Sequence, residues 1–211
     1  MASNTNLWPD RDHALQYLAI ADQLPHRTEG EGVLLDHLPE GVGRVLDLGT
    51  GDGRLLALVL ATRPDVTGIG LDFSDEMLER AQERFADDDR VEIRRHDLNE
   101  RLPDLGVFDA VVSSFAIHHV DDARKREVYA EAHDALVPGG VFLNLEHVAS
   151  ATERLHEQFR VAIGHAEKPD DPSNLLAPVD AQLDWLRDVG FEDVDCHWKW
   201  LELALLAGVR A

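Results

Sequence analysis

The segment Asp47-Leu48-Gly49-Thr50-Gly51-Asp52-Gly53 constrains this chain more than any other. It follows the apolar pair Val45-Leu46, which reads as the end of a buried strand. It precedes Leu55-Leu56-Ala57-Leu58-Val59-Leu60-Ala61, a strong helix former. Strand, glycine turn and helix in that order bring the main chain close to a ligand, because glycine has no Cβ to hold it off. A second apolar strand, Val66-Thr67-Gly68-Ile69-Gly70-Leu71, ends at Asp72, 21 residues after Gly51. An acidic residue at that strand tip suits a two-oxygen grip on ribose hydroxyls. Together these features predict a site for a nucleoside-containing cofactor.

Glycine spacing narrows the choice. A dinucleotide turn follows G-x-G-x-x-G, with a pyrophosphate on the helix N-terminus. Here the third glycine, Gly53, arrives one residue early, and Arg54 stands where that pattern wants Gly or Ala. Asp47 before the turn and Asp52 within it would repel a pyrophosphate but suit an ammonium group. Further along the chain stand Arg94-Arg95-His96-Asp97-Leu98, Phe108-Asp109-Ala110-Val111-Val112-Ser113-Ser114, Leu136-Val137-Pro138-Gly139-Gly140-Val141-Phe142, and Val189-Gly190-Phe191 followed by Val194.

The D-x-G-x-G-x-G pattern resembles motif I of the class I S-adenosylmethionine (SAM)-dependent methyltransferases. The four later segments resemble that family's third, fourth, fifth and sixth strands with their flanking turns, in order, from about Val33 to Ala211. The resemblance implies SAM as cofactor, held by Asp47, Gly49, Thr50 and Gly51, by Asp72, Phe73 and Met77, by Asp97 at the adenine amino group with Leu98, and by Ser113 and Ser114 beneath the cofactor. Asp47 is expected to orient the glycine turn and the methionine ammonium. Every motif residue near the methionine tail is acidic or glycine, so a cation for its carboxylate must come from elsewhere. Arg27, in the turn Pro25-His26-Arg27, is expected to supply it, with His26 in reserve.

Alternation of strands and helices predicts an α/β, doubly wound sheet. Strands are expected at 44–48, 66–72, 91–95, 108–113, 140–147, 191–197 and 200–209, and helices at 53–62, 75–86, 122–136 and 179–189. Ser74 is expected to cap the second of these helices, and Pro138-Gly139-Gly140 to stop the third. The last two apolar runs lie too close for a helical crossover, so they form an antiparallel hairpin. The resemblance then implies a seven-stranded sheet of order 3-2-1-4-5-7-6 with strand 7 antiparallel. Residues 1–40 are expected to form an N-terminal helical cover, with a helix over Arg11–Asp22 capped by Asp10. Residues 41–211 form the SAM-binding domain, and the proline-bearing stretch 151–178 is an insertion placed to act as a lid. The whole reads as one domain.

The chain has 211 residues, 44% of them hydrophobic, which suffices for one substantial core. No run of 18 apolar residues predicts a membrane span, and Met1-Ala2-Ser3-Asn4-Thr5-Asn6 lacks the features of an export signal. The single Cys196 excludes an internal disulfide and is expected to be a small buried hydrophobe, so a cytoplasmic location is expected. Twenty basic against 41 acidic residues give a net charge of −21. Such a surface disfavours nucleic acid, whose binding relies on Lys and Arg. The expected partner is a small-molecule methyl acceptor, and the expected state a monomer or homodimer.

Candidate bases cluster at the ends of strands four and five: His118, His119, Glu146 and His147. Adjacent residues on an extended chain point to opposite faces, which argues against a shared metal ion, so no metal is expected. One histidine, His118 or His147, is expected to face the acceptor while its neighbour packs inward. His13, His37, His133 and His156 read as helix-surface residues. Trp198 and Trp200, flanking Lys199, read as core or edge packing. The functional expectation is methyl transfer to an oxygen or nitrogen of a small molecule. A SAM-modifying enzyme resembling the carboxy-SAM synthases, or a nonenzymatic SAM-binding module, stand as alternatives.

Overall fold

Leu46 and Leu48 point to one side of their strand and Val45 to the other, and that alternation builds two apolar layers around one sheet. The structure, a computed structural model, describes residues 24–211, so the helix expected over Arg11–Asp22, its Asp10 cap and His13 lie outside the described residues. The strands are β1 (Arg44–Leu48), β2 (Thr67–Asp72), β3 (Val91–Arg95), β4 (Phe108–Ser114), β5 (Leu136–His147), β6 (Phe191–Trp200) and β7 (Leu203–Arg210). The helices are α1 (Arg27–Asp36), α2 (Arg54–Thr62), α3 (Asp75–Arg84), α4 (Asp122–Ala135), α5 (Glu153–Ala162) and α6 (Val179–Asp188), with a 3₁₀ turn at Ile117–His119.

The sheet runs β3-β2-β1-β4-β5-β7-β6. β1 pairs in parallel with β2 and β4, and β7 lies antiparallel between β5 and β6. This is the expected order. One layer packs Leu46, Leu48 and Val111 against Tyr129, Leu183 and Leu186 of α4 and α6. The other packs Val45, Ala110 and Val112 against Leu34 of α1 and Leu55, Leu56 and Val59 of α2. α1 lies so close that a Cβ on Gly30 would stand 2.8 Å from both Leu145 and Trp198. Trp198 donates to Glu29 at 3.2 Å and Trp200 stacks on His26, so both tryptophans serve packing. Among the described residues no helix is long and apolar enough to cross a membrane.

Two local expectations are corrected. β5 begins at Leu136, directly after α4, rather than at Gly140. Leu136 pairs with Phe108, and the Pro138-Gly139 turn, with Gly139 at φ +80°, is absorbed as a register shift before Val141 pairs with Ala110. Ser74 makes no side-chain cap to α3. Its own amide instead donates to Asp72 Oδ1 at 2.9 Å, so the strand-tip acid organises the helix start.

Candidate functional site

The carboxyl ends of β1, β2, β3 and β4 open onto one cleft. At its centre the glycine turn folds back on β2, where the Thr50 amide donates to the Leu71 carbonyl at 2.8 Å. Gly49 has φ +69° because the turn after β4 crosses it; a Cβ there would sit 2.1 Å from the Ala116 Cβ. The Asp72 carboxylate accepts the Gly51 amide through Oδ2 and the Ser74 amide through Oδ1, both at 2.9 Å. Burial raises its proton affinity, and these backbone bonds oppose the rise. Asp97 Oδ1 accepts the backbone and side-chain N–H of Asn99 at 2.9 Å each.

Asp47 is 1% exposed. Its Oδ2 accepts the Thr50 hydroxyl at 2.7 Å, while Oδ1 is buried without a partner. Burial pushes this carboxyl up to about 7, the Thr50 bond pulls it back, and the nearby Asp72 and Asp52 raise it further.

Eleven of the twelve expected cofactor residues line the cleft: Arg27, Asp47, Gly49, Thr50, Gly51, Asp72, Phe73, Met77, Asp97, Leu98 and Ser114. Ser113 does not. It is fully buried, and its hydroxyl donates across to the Leu48 carbonyl at 2.8 Å, which makes it a strand-to-strand tie. The Ser114 hydroxyl, by contrast, is buried beside the cleft with no partner. Arg27 opens α1 and is 7% exposed, because the chain reverses at His26 (φ 63°) and turns the helix inward. Its Nε donates to Glu31 Oε1 at 2.9 Å, and Arg54 donates to both oxygens of the same carboxylate at 2.8 and 3.0 Å. The Glu31 carboxylate thus ties both guanidiniums to this wall. His26 pairs with Glu29 at 2.7 Å and does not line the cleft.

Of the four candidate bases only His119 lines the cleft. The expectation of His118 or His147 is corrected because β4 ends at Ser114 and a 3₁₀ turn carries both adjacent histidines. Within that turn the two rings lie side by side, 4.0 Å apart, rather than on opposite faces. His118 sits behind His119 with Nδ1 at 2.6 Å from Glu146 Oε1. Burial lowers His118 far below the usual imidazole range and pushes Glu146 up to about 7. Burial, then the neighbouring His118, pushes His119 down to about 3. Its Nδ1 faces the Ser173 carbonyl at 3.1 Å. His147 points away, its Nε2 3.0 Å from Glu202 Oε2.

The stretch 151–178 is tied directly to the histidine turn. The Leu175 amide donates to the His118 carbonyl at 2.8 Å. The fully buried Lys125 donates to the Val120 and Leu175 carbonyls at 2.7 and 2.5 Å. His156, part-exposed on α5, is held on both sides: Nδ1 lies 2.9 Å from Glu202 Oε1 and Nε2 3.3 Å from Asp170, and the Glu202 contact raises its proton affinity. His133 packs edge-on against Phe191, and His37 lies 3.0 Å from His197. Cys196 is half-buried, its thiol 3.3 Å from the Trp198 carbonyl.

Residues 45–140 match the family model of a methyltransferase domain. An uncharacterized methyltransferase of Mycobacterium tuberculosis is 39% identical over 149 residues, 69% of this chain and 73% of that protein. The chain belongs to the class I SAM-dependent methyltransferases. A carboxy-S-adenosyl-L-methionine synthase of Desulfotalea psychrophila is 25% identical over 198 residues, 84% of this chain and 79% of that one. In fold, the chain is similar to human N-acetylserotonin methyltransferase in complex with SAM, with a TM-score of 0.71 and 17% identity. That match covers 97% of this chain and 58% of the other, so the chain spans little more than half of it.

The cleft of this methyltransferase suits SAM chemically. Three buried polar atoms among the residues lining it lack a protein partner: Asp47 Oδ1, His96 Nε2 and Ser114 Oγ. An unpaired buried carboxylate oxygen is complementary to a cation, as in an amino-acid ammonium. Sequence reasoning missed His96, Asn99, Phe115, Ala116 and Arg54, which also line the cleft. His96 and Asn99 flank Asp97-Leu98, and Phe115-Ala116 follow Ser114, so adjacency to motif residues was an available signal.

Proposed function

We propose that this methyltransferase moves a methyl group from SAM to an oxygen or nitrogen atom of a small molecule, with His119 as the base for the acceptor. The reading is carried by the position of His119 on the wall of the cleft that also holds Asp47, Asp72 and Asp97. SAM, when bound, supplies a methyl carbon made electrophilic by the sulfonium. Donation from His119 Nδ1–H to the Ser173 carbonyl leaves Nε2 as the ring's acceptor nitrogen. Its depressed proton affinity keeps the ring neutral at physiological pH. For an oxygen acceptor so weak a base is enough, because the oxonium that develops as the new bond to carbon forms is a stronger acid than the imidazolium. Glu146 and His118 brace the ring from behind and do not line the cleft.

In this reading Asp47 takes the methionine ammonium, Arg27 the methionine carboxylate, Asp72 the ribose hydroxyls and Asp97 the adenine amino group. The expected cover contributes α1, whose Arg27 lines the cleft, the stretch 151–178 packs on the histidine turn as the lid, and the domain proper runs over 41–211. The net charge of −21 favours a small acceptor over a nucleic acid. The test is a screen for methyl transfer from isotopically labelled SAM into fractionated metabolite extracts. With the acceptor in hand, His119→Gln should lower turnover about 100-fold while leaving S-adenosylhomocysteine affinity unchanged. Full activity in that variant would remove the base. The similarity to a carboxy-SAM synthase supports a second reading, and mass spectrometry of co-purifying small molecules separates the two.

Two further outcomes follow from the methionine end. Arg27→Ala should weaken S-adenosylhomocysteine roughly tenfold, the worth of a charge-assisted hydrogen bond, and leave 5′-methylthioadenosine, which lacks the tail, unaffected. Equal affinity for S-adenosylhomocysteine in variant and wild type would rule Arg27 out. Asp47 holds a proton up to about pH 7 in the ligand-free protein, and an ammonium partner favours its ionised form. Binding should therefore release a proton at pH values below about 7, and affinity should rise as pH climbs from about 6 to about 8. Calorimetry in buffers of different ionisation enthalpy reads the released proton. A proton taken up instead would contradict the assignment.

A further inference from the structure

We infer that the His96 imidazole is a hydrogen-bonding contact for the adenosine half of SAM, seated between the ribose acid Asp72 and the adenine acid Asp97. The inference rests on the placement of SAM given above and gives a role to a residue which that placement leaves without one. His96 follows β3 directly, and its amide donates to the Asp72 carbonyl at 2.8 Å, which pins it beside the ribose end. The next residue is Asp97, whose turn is locked by Asn99. His96, Asp97, Leu98 and Asn99 form a continuous stretch of the cleft wall. Within that stretch the Nε2 of His96 is buried and has no hydrogen-bond partner among the described residues.

An imidazole nitrogen shielded from water and left unpaired is a cost to the folded protein, and such groups in native structures commonly await a ligand or an ordered water. The adenosine half of SAM offers ring nitrogens and ribose hydroxyls, and the tautomer of His96 can adapt to an acceptor or a donor. The same physical fact yields two opposed consequences. Removing the nitrogen relieves the ligand-free protein of an unpaired polar atom. It also takes a hydrogen bond from the complex.

The experiment compares wild type, His96→Phe and His96→Asn by titration calorimetry with S-adenosylhomocysteine and with 5′-methylthioadenosine, and by thermal unfolding without ligand. His96→Phe keeps a ring of similar size and removes both nitrogens. It should bind both ligands about fivefold more weakly, because both carry adenosine, with an unfolding temperature equal to or above that of wild type. His96→Asn, which keeps a polar side chain, should fall between the two in affinity. Unchanged affinity in His96→Phe would overturn the inference. So would parallel losses of affinity and unfolding temperature in both variants, since packing alone produces that pattern. Failure of the wild type to bind either ligand would instead overturn the placement of SAM in this cleft.

Discussion

Gly49→Ala is expected to abolish S-adenosylhomocysteine binding and to destabilise the fold by about 3 kcal/mol or more, the sum of left-handed strain and overpacking. Gly49 has φ +69°, a region that disfavours a side chain, and the added Cβ would lie 2.1 Å from the Ala116 Cβ. Neither partner can yield cheaply. Ala116 belongs to the turn that carries His118 and His119, and the Thr50 amide beside Gly49 is bonded to β2. Gly51 provides the control. Its φ is +57°, but a Cβ there would find its nearest neighbour, Met77 Sδ, at 4.0 Å. Gly51→Ala should therefore pay only the backbone strain, about 1 kcal/mol, and remain folded while losing the cofactor through steric exclusion. Urea unfolding and calorimetry check both variants. A wild-type midpoint for Gly49→Ala would show that the turn can relax.

Asp72→Ala should cost on the order of 1.5–3 kcal/mol in SAM affinity by removing charge-assisted hydrogen bonds to ribose. The loss has a second source. Asp72 also accepts the amides of Gly51 and Ser74, so its removal leaves both donors unpaired and loosens the glycine turn and the start of α3 together. Asp72→Asn separates the two contributions: its single carbonyl oxygen can keep one amide, and its NH₂ cannot accept the other. It should bind S-adenosylhomocysteine more tightly than Asp72→Ala and more weakly than wild type. Wild-type affinity in both variants would remove Asp72 from the site.

The cofactor half of the cleft was legible in the chain because its determinants are local. A strand tip, a glycine turn and a helix start are neighbours in sequence, so spacing alone positions Asp47, Gly49 and Gly51, and the following strand brings Asp72 beside them. The final hairpin was legible for a related reason, since the last two apolar runs lie too close for a crossover, and the strand order around it came with the family resemblance. The errors lie where one residue of turn geometry changes a side chain's direction. Ser113 and Ser114 are adjacent and alike, yet one ties β4 to β1 and the other borders the cleft.

By itself, then, the sequence determined the alternation of strands and helices and a nucleoside-binding glycine turn, which follow from hydrophobic periodicity and from turns a few residues long. The sheet order and SAM came from the resemblance of its motifs to the methyltransferases. Only the tertiary structure decided which histidine meets the cleft, since a 3₁₀ turn rather than an extended strand carries His118 and His119, and the Ser173 carbonyl 54 residues away orients the ring. It also decided that Arg27 shares Glu31 with Arg54, and that His147 and His156 converge on Glu202. These contacts join distant segments of the chain. Their energies depend on burial and on the alignment of donors with acceptors, and neither quantity exists until the chain has folded.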